Sequence, residues 1–422
     1  MNPFKLSPCS LESTLLDWNG MRPLPYDKWA DPYTRCRTIL MNGTEFEAVW
    51  FSHQFSRNCP NNDIRRSLAL MRRSEQNEQK LLALLKPSDE TLLEHTIGYE
   101  QLAVDLTAHL AKKEPDKYVK KALDFALLED FDHLYRYADF LDMESGVHAE
   151  DLVGRYTEIM PARPTISHYR HPFDSVRYSI NSKTADPVTR LCVGIITAAE
   201  QQTMNYYMNT AAAYPNDKGR FLYQEIGMVE EQHVTHYGSL MDPCATWLEN
   251  LVMHQFTEAY LYWSAAETET DERIKRIWER LFEFEVSHLH EAARLLERYE
   301  NKDPVSVVGC PEFPAPLTLE SNIPYVRCVL ENSVQMTACR EEYECVNNLP
   351  DSFDFFRYQN FQNSDLNSVK SHTIIEEYIR QNGTDYRFET APNPIPSLRD
   401  RTVDNTTLGR VKNVSNACNL DI

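Results

Sequence analysis

The chain reads as an all-α protein, and three observations carry that reading. Long stretches repeat apolar residues at helical spacing. Glycine is scarce, with 12 in 422 residues, which suits long helices joined by short turns. Prolines such as Pro87, Pro115, Pro215 and Pro243 fall at the seams between the periodic stretches rather than inside them. The length supports a large core and two or three domains.

Residues 1–58 mix Pro23, Pro25 and Pro32 with aromatics and read as an irregular arm. From Asn61 to Leu85, the positions Ile64, Leu68, Met71, Leu81, Leu82, Leu84 and Leu85 suit a helix that Pro87 ends. Ser88 then opens a helix to about Lys113, and Glu114-Pro115-Asp116 turns the chain into another over about 117–142. Residues 143–185 hold no long periodic run. A connection of that length inside a compact domain usually has a task. Four helices follow, at about 186–213, 217–240, 245–267 and 271–300. The segment 59–302 therefore reads as one helical bundle with an insertion at 143–185. Beyond it, 303–422 reads as a mixed extension with helices at 322–348 and near 365–382, and a polar tail.

A chemical pattern repeats along these helices. Glu100 is followed by Asp130-Phe-Asp-His133, Glu200 by Glu230-Glu-Gln-His233, and Glu258 by Glu285-Val-Ser-His288. Residues three apart on a helix are neighbours on one face, so each carboxylate-x-x-His presents an oxygen and a nitrogen ligand together. Around Glu200 that face carries Val193, Ile196, Met204 and Tyr207. Around Glu258 it carries Leu251, His254, Leu261 and Ala265. An ionised carboxylate facing a bundle core is very costly unless a cation meets it, and few Lys or Arg lie on these faces. One Glu-x-x-His on a surface helix means little; three copies at matched spacing point to metal.

The pattern resembles the ferritin-like di-iron carboxylate superfamily, over about residues 89–300. The resemblance implies a ferritin-like helical bundle built from three helical hairpins, with an irregular N-terminal arm and a mixed C-terminal extension. It implies two Fe ions, with Mn or a mixed Fe/Mn pair as alternatives. In that family the lone Glu is a terminal ligand, the motif Glu bridges the metals and the His is terminal. Glu200, Glu230 and His233 match those roles, as do Glu258, Glu285 and His288. Glu100 and His133 match as well, but Asp130 stands where the bridging Glu belongs, and Glu129 is an alternative there. Three half-sites are present for a two-half-site centre. Ligand identity pairs the second hairpin with the third. Loop length pairs the first with the second, because only 143–185 is long enough to cross a bundle lengthwise.

Bland readings attach to the neighbours. Glu231 and Glu283 read as solvated, His168, His171 and Asp174 as a capped turn, and Tyr207, Tyr223 and Tyr262 as core aromatics. The alternative for each tyrosine is a hydrogen bond to a ligand carboxylate. His236, His254 and His290 read as polar packing or as groups behind the ligands.

Composition narrows the function. The formal charge is −20, with a pI near 5.1, so nucleic acid and anionic membrane surfaces are not the expected partners. No apolar run approaches the roughly 18 residues of a spanning helix. No secretory pattern opens the chain, and the four Asn-x-Ser/Thr sequons (Asn42, Asn382, Asn405, Asn413) then carry no weight. Ten scattered cysteines with no Cys-x-x-Cys read as free thiols in a cytoplasmic protein. The expected function is an O2-dependent di-metal oxidase or oxygenase acting on a small organic substrate, with an external electron donor and with a homo-dimer allowed. The alternatives are a rubrerythrin-type peroxidase or ferroxidase and a non-catalytic helical scaffold.

Overall fold

A computed structural model describes residues 1–412; Cys418, the sequon at Asn413 and the end of the polar tail lie outside the described residues. Along the chain run α1 (Pro32–Asn58), α2 (Asn62–Ala83), α3 (Leu92–Lys113), α4 (Lys117–Ser145), α5 (Ala149–Leu152), α6 (Pro187–Ala213) and α7 (Asp217–Gly238). Then come α8 (Trp247–Thr268), α9 (Glu272–Glu300), α10 (Pro304–Val308), α11 (Ile323–Ser333), α12 (Asp354–Gln362) and α13 (Lys370–Asn382). One antiparallel hairpin, β1 (Met336–Cys339) and β2 (Glu342–Cys345), pairs Met336 with Cys345. None of the described helices is long and apolar enough to cross a membrane.

Capping residues fix where the long helices begin. Asp31 and Asn61 accept backbone N–H groups at the starts of α1 and α2. Thr91 with Glu94, and Thr246 with Glu249, form reciprocal capping boxes on α3 and α8. Asp116, Asn216 and Asp271 cap α4, α7 and α9. Gly146 and Asn301 end α4 and α9 in the left-handed conformation. Each start sets the register that carries the carboxylates inward.

The described chain divides into two compact units. One comprises Met1–Glu90, Ser179–Gln202 and Met241–Leu319; the other comprises Thr91–Tyr178, Thr203–Leu240 and the chain from Glu320 onward. In the first unit α1 packs on α2 and α8 on α9, while α1 meets α8 and α2 meets α9. These are two helical hairpins closed on each other. In the second unit α3 packs on α4, and α4 meets α7. The C-terminal part of α6 lies close along α7, where a Cβ on Gly227 would come 3.4 Å from that of Tyr207. Helices α11 and α13 also pack on α4.

Four expectations change. Residues 32–58 are helical, so the irregular arm is confined to 1–31, with short 3-10 turns at Pro3–Lys5 and Leu11–Thr14. The hairpins therefore number four, and 59–302 is shared between two units rather than forming one bundle. The helix expected over 322–348 stops at Ser333. Arg340 takes a left-handed φ of 55°, and Asp174 accepts its N–H at 2.8 Å, which closes β1 and β2 into a tight turn. Eight cysteines are free thiols, but Cys345 is disulfide-bonded.

Candidate metal centres

The second unit gathers the first hairpin and part of the second. Glu100 of α3, Asp130 and His133 of α4, and Glu230 of α7 are buried, with ligand atoms all within 4.8 Å of one another. His133 Nδ1 lies 2.9 Å from Glu230 Oε1 and 3.9 Å from Glu100 Oε1. His233 Nδ1 lies 3.1 Å from Glu230 Oε2 and 3.4 Å from Asp130 Oδ1. Both imidazoles thus turn the same nitrogen toward Glu230, which sits between them as a bridging carboxylate would. Tyr207 donates its hydroxyl proton to Glu100 Oε1.

Glu129 is not among these converging groups. One residue before Asp130, it leaves that face and accepts from His233 Nε2 instead. It also meets His168, and Arg170 Nη1 at 3.1 Å. Burial alone would raise this carboxyl, but His168, Arg170 and His233 hold it well below the usual carboxylate range. Fixing the far nitrogen of a ligating imidazole sets the ring's orientation and the tautomer. The insertion at 143–185 thus supplies the support for His233. His168 belongs to that support, while His171 caps its own turn, accepting Phe173 N at 3.3 Å, and Asp174 accepts Arg340 N at 2.8 Å from the β1–β2 turn.

Glu200 is buried on the stretch of α6 that belongs to the first unit. It lies seven residues before Tyr207 on the same helix, two turns along one face.

The first unit holds a second cluster, built from the third hairpin and a hairpin not expected from the sequence. Glu78 of α2 with Glu285 and His288 of α9 have ligand atoms within 4.8 Å of one another. Glu45 of α1, Glu75 of α2 and Glu258 of α8 surround them, all buried. Gln255 Nε2 donates to Glu75 Oε1 at 3.1 Å and Glu258 Oε2 at 2.5 Å. Tyr262 donates to Glu45 Oε1 at 2.6 Å, and Ser74 to Glu78 Oε1 at 3.0 Å. His288 Nδ1 faces Glu285 at 2.9 Å, and its Nε2 lies 3.4 Å from Thr14 Oγ1.

The spacing that reveals this hairpin was in the sequence. Glu45 precedes Glu75 by 30 residues, as Glu100 precedes Asp130 and Glu200 precedes Glu230, and Glu78 stands at the His position. Helix α1 hides the signal because polar residues are buried along it. Arg35 pairs with Glu90 at 3.3 Å and Arg37 with Glu269 at 3.3 Å, so no apolar stripe shows.

The electrostatics of this cluster call for cations. Burial first, then neighbouring carboxylates, pushes Glu45, Glu78 and Glu258 well above their usual range. Glu285 is pushed to about 8 by burial, and Glu75 to about 7 by burial and Glu285 against the pull of His288. Glu45 Oε2, Glu75 Oε2 and Glu258 Oε1 are buried without a hydrogen-bond partner. Such orphaned oxygens are what a bound cation would satisfy. In the second unit burial also opposes ionisation of Glu230, yet His133 and His233 bring it to about 2. Carboxylates with imidazole suit Fe or Mn in both places.

The histidines beside the clusters face other groups. His236 Nε2 lies 3.2 Å from Ala122 O and 3.1 Å from the Tyr343 hydroxyl, and His290 Nε2 is 3.2 Å from Pro3 O. His254 Nδ1 is 3.0 Å from Glu47 Oε2. Of the tyrosines, Tyr207 and Tyr262 reach ligand carboxylates, whereas Tyr223 meets Thr96 at 2.6 Å. Glu231 and Glu283 are exposed.

Compared with family models, curated proteins and solved structures, the chain gives no match.

Proposed function

We propose that each unit is a ferritin-like four-helix bundle with one carboxylate-rich two-metal centre, and that the protein is an O2-dependent di-metal oxidoreductase acting on an organic substrate. The observation that carries this reading is the repeated burial of carboxylates around imidazoles, with oxygens of Glu45, Glu75 and Glu258 among those left without a hydrogen-bond partner. The two-metal reading assigns Glu100, Asp130, His133, Glu230 and His233 of the second unit to one centre. It assigns Glu45, Glu75, Glu78, Glu258, Glu285 and His288 of the first unit to the other. Bound Fe or Mn pairs would supply the electrons that reduce O2, replenished by an external donor.

The chain's own residues do the rest. Glu129 orients His233, and Thr14 sits behind His288. Tyr207 and Tyr262 each hold one carboxylate oxygen and place a phenolic proton beside the centre. Buried walls keep water out.

Purified protein loaded anaerobically with Fe(II) is expected to hold about two ions per centre, or about four per chain. Glu230→Ala should lose the pair of the second unit and Glu285→Ala the pair of the first, each keeping the other. On admitting air, the loaded protein should consume O2. A chain that takes up neither Fe(II) nor Mn(II) would sink the reading. Peroxide turnover without an organic substrate, in place of O2 consumption, would favour the peroxidase alternative.

A further inference from the structure

The first unit contains a cavity of about 440 Å³ between the N-terminal half of α6, α8 and the chain around Lys302–Val307. Its walls include Ile180, Val193, Met241, Met253 and Val307. Arg190 stands in the same wall, 8% exposed. Its guanidinium donates to backbone carbonyls, Ala185 at 3.0 and 3.1 Å, Val307 at 2.6 Å and Ser306 at 3.5 Å, and makes no ion pair among the described residues. Exposed Lys183 lies at the rim. The two acids at the rim are already engaged. Glu249 holds Lys302 at 2.7 Å, and Asp242 accepts from Ser182 at 2.6 and 2.8 Å.

A smaller space of about 30 Å³ continues from the cavity, sharing Gly194, Met241, Asn250 and Met253 with it, and ends at Glu47 and His254. Gly194 lines both spaces, and a Cβ there would sit 3.4 Å from Thr257 Oγ1, in van der Waals contact. At the inner end the His254 ring stacks on Phe51 at 4.3 Å, and its Nε2 has no hydrogen-bond partner. His254 precedes Glu258 by one helical turn, so a molecule reaching it has come to the edge of the carboxylate cluster.

We infer that this cavity binds a small amphiphilic carboxylic acid, its carboxylate at Arg190 and Lys183 and the end of its apolar chain directed toward Gly194. An apolar wall with one buried cation not ion-paired to the protein selects such a molecule over a neutral or cationic one. Oxidation of the bound acid rests on the di-metal reading above; its binding does not.

Binding is tested by calorimetry on the full chain, metal-free and Fe(II)-loaded, with octanoate, decanoate, octanol and octylamine as probes. Octanoate and decanoate should bind with or without metal, and at least about tenfold more tightly than octanol or octylamine. Lys183→Met, an exposed change that leaves folding alone, and Arg190→Met should each weaken octanoate several-fold and leave octanol unchanged. Gly194→Leu should reject decanoate while retaining octanoate. No binding of either acid, equal binding of the alcohol or the amine, or indifference to both cation substitutions would overturn the assignment. Failure to take up metal would sink the di-metal reading alone.

Discussion

The two clusters rest on similar sequence spacings and have opposite charge balance. In the second unit, two imidazoles face Glu230, and Glu129 behind His233 is matched by Arg170 and His168. Glu129 is held well below the usual carboxylate range, and Glu230 is drawn down to about 2, both against the effect of burial. In the first unit, five carboxylates share one imidazole, and Glu285 rises to about 8. The same bundle can thus be neutralised by protein cations and imidazoles, or be left to depend on whatever cation enters. On the two-metal reading, the first cluster is coupled more strongly to cations and protons, and the second to its supporting side chains.

The largest expected effect tests that support. Glu129→Gln removes the charge that Arg170 and Arg163 face at 3.1 and 3.9 Å, and loosens His233. Leaving buried guanidinium groups unmatched costs about 3–5 kcal/mol. Urea denaturation of the metal-free protein should show a loss of that order. Metal affinity of the second centre should fall about 10–100-fold while the first is unchanged. An equal loss at both centres would break the comparison.

A smaller effect separates the centres by pH. The folded pKa values of Glu75 and Glu285 lie above the ordinary 4.5, at about 7 and about 8. Between 4.5 and those values the folded chain holds more protons than the unfolded chain, so stability falls as pH rises. Metal-free protein should therefore lose Tm steadily from about pH 5 to about pH 8. Bound metal requires ionised carboxylates, so it should reverse that slope and release protons on binding. In Glu285→Gln the metal-free slope should flatten, measured by calorimetry at each pH. A metal-free Tm that rises over the same range would contradict the charge balance assigned to the first unit.

Much of this was legible in the sequence, and the misses have physical causes. The registers of α3, α4, α7, α8 and α9 follow from caps and apolar spacing, and with them the inward placement of Glu100, His133, Glu230, Glu258 and His288. The length of 143–185 favoured pairing the first hairpin with the second, against ligand identity; α4 meets α7 in the second unit, while α6 is divided between the units. Helix α1 escaped because buried Arg35, Arg37 and Glu45 spoil its stripe. The fourth half-site escaped with it, since Glu78 replaces the histidine that marks the motif. Glu129 was visible only as an alternative ligand. Its role depends on His168 and Arg170, which arrive from a segment with no periodicity to read.

The smallest effect lies in the tyrosines, where the two centres are alike. Tyr207 donates to Glu100 and Tyr262 to Glu45, so each phenol sits on a carboxylate of its own bundle. A hydrogen bond to a charged acceptor contributes about 1.5–3 kcal/mol. Removing it has opposite consequences for an ion that the carboxylate must bind. Without the phenol, the oxygen is a stronger donor to a cation, yet its side chain is less firmly placed. In the second unit, imidazoles already hold the carboxylates in line, so Tyr207→Phe should change Fe(II) affinity by less than about threefold. In the first unit Glu45 has Tyr262 as its hydrogen-bond donor and Glu78 and Glu285 as repelling neighbours. Tyr262→Phe should therefore weaken metal binding there about tenfold, read by competition with a chelator. Equal effects of the two substitutions would mean that local carboxylate repulsion does not set ligand placement, and that the two centres differ in charge without differing in mechanics.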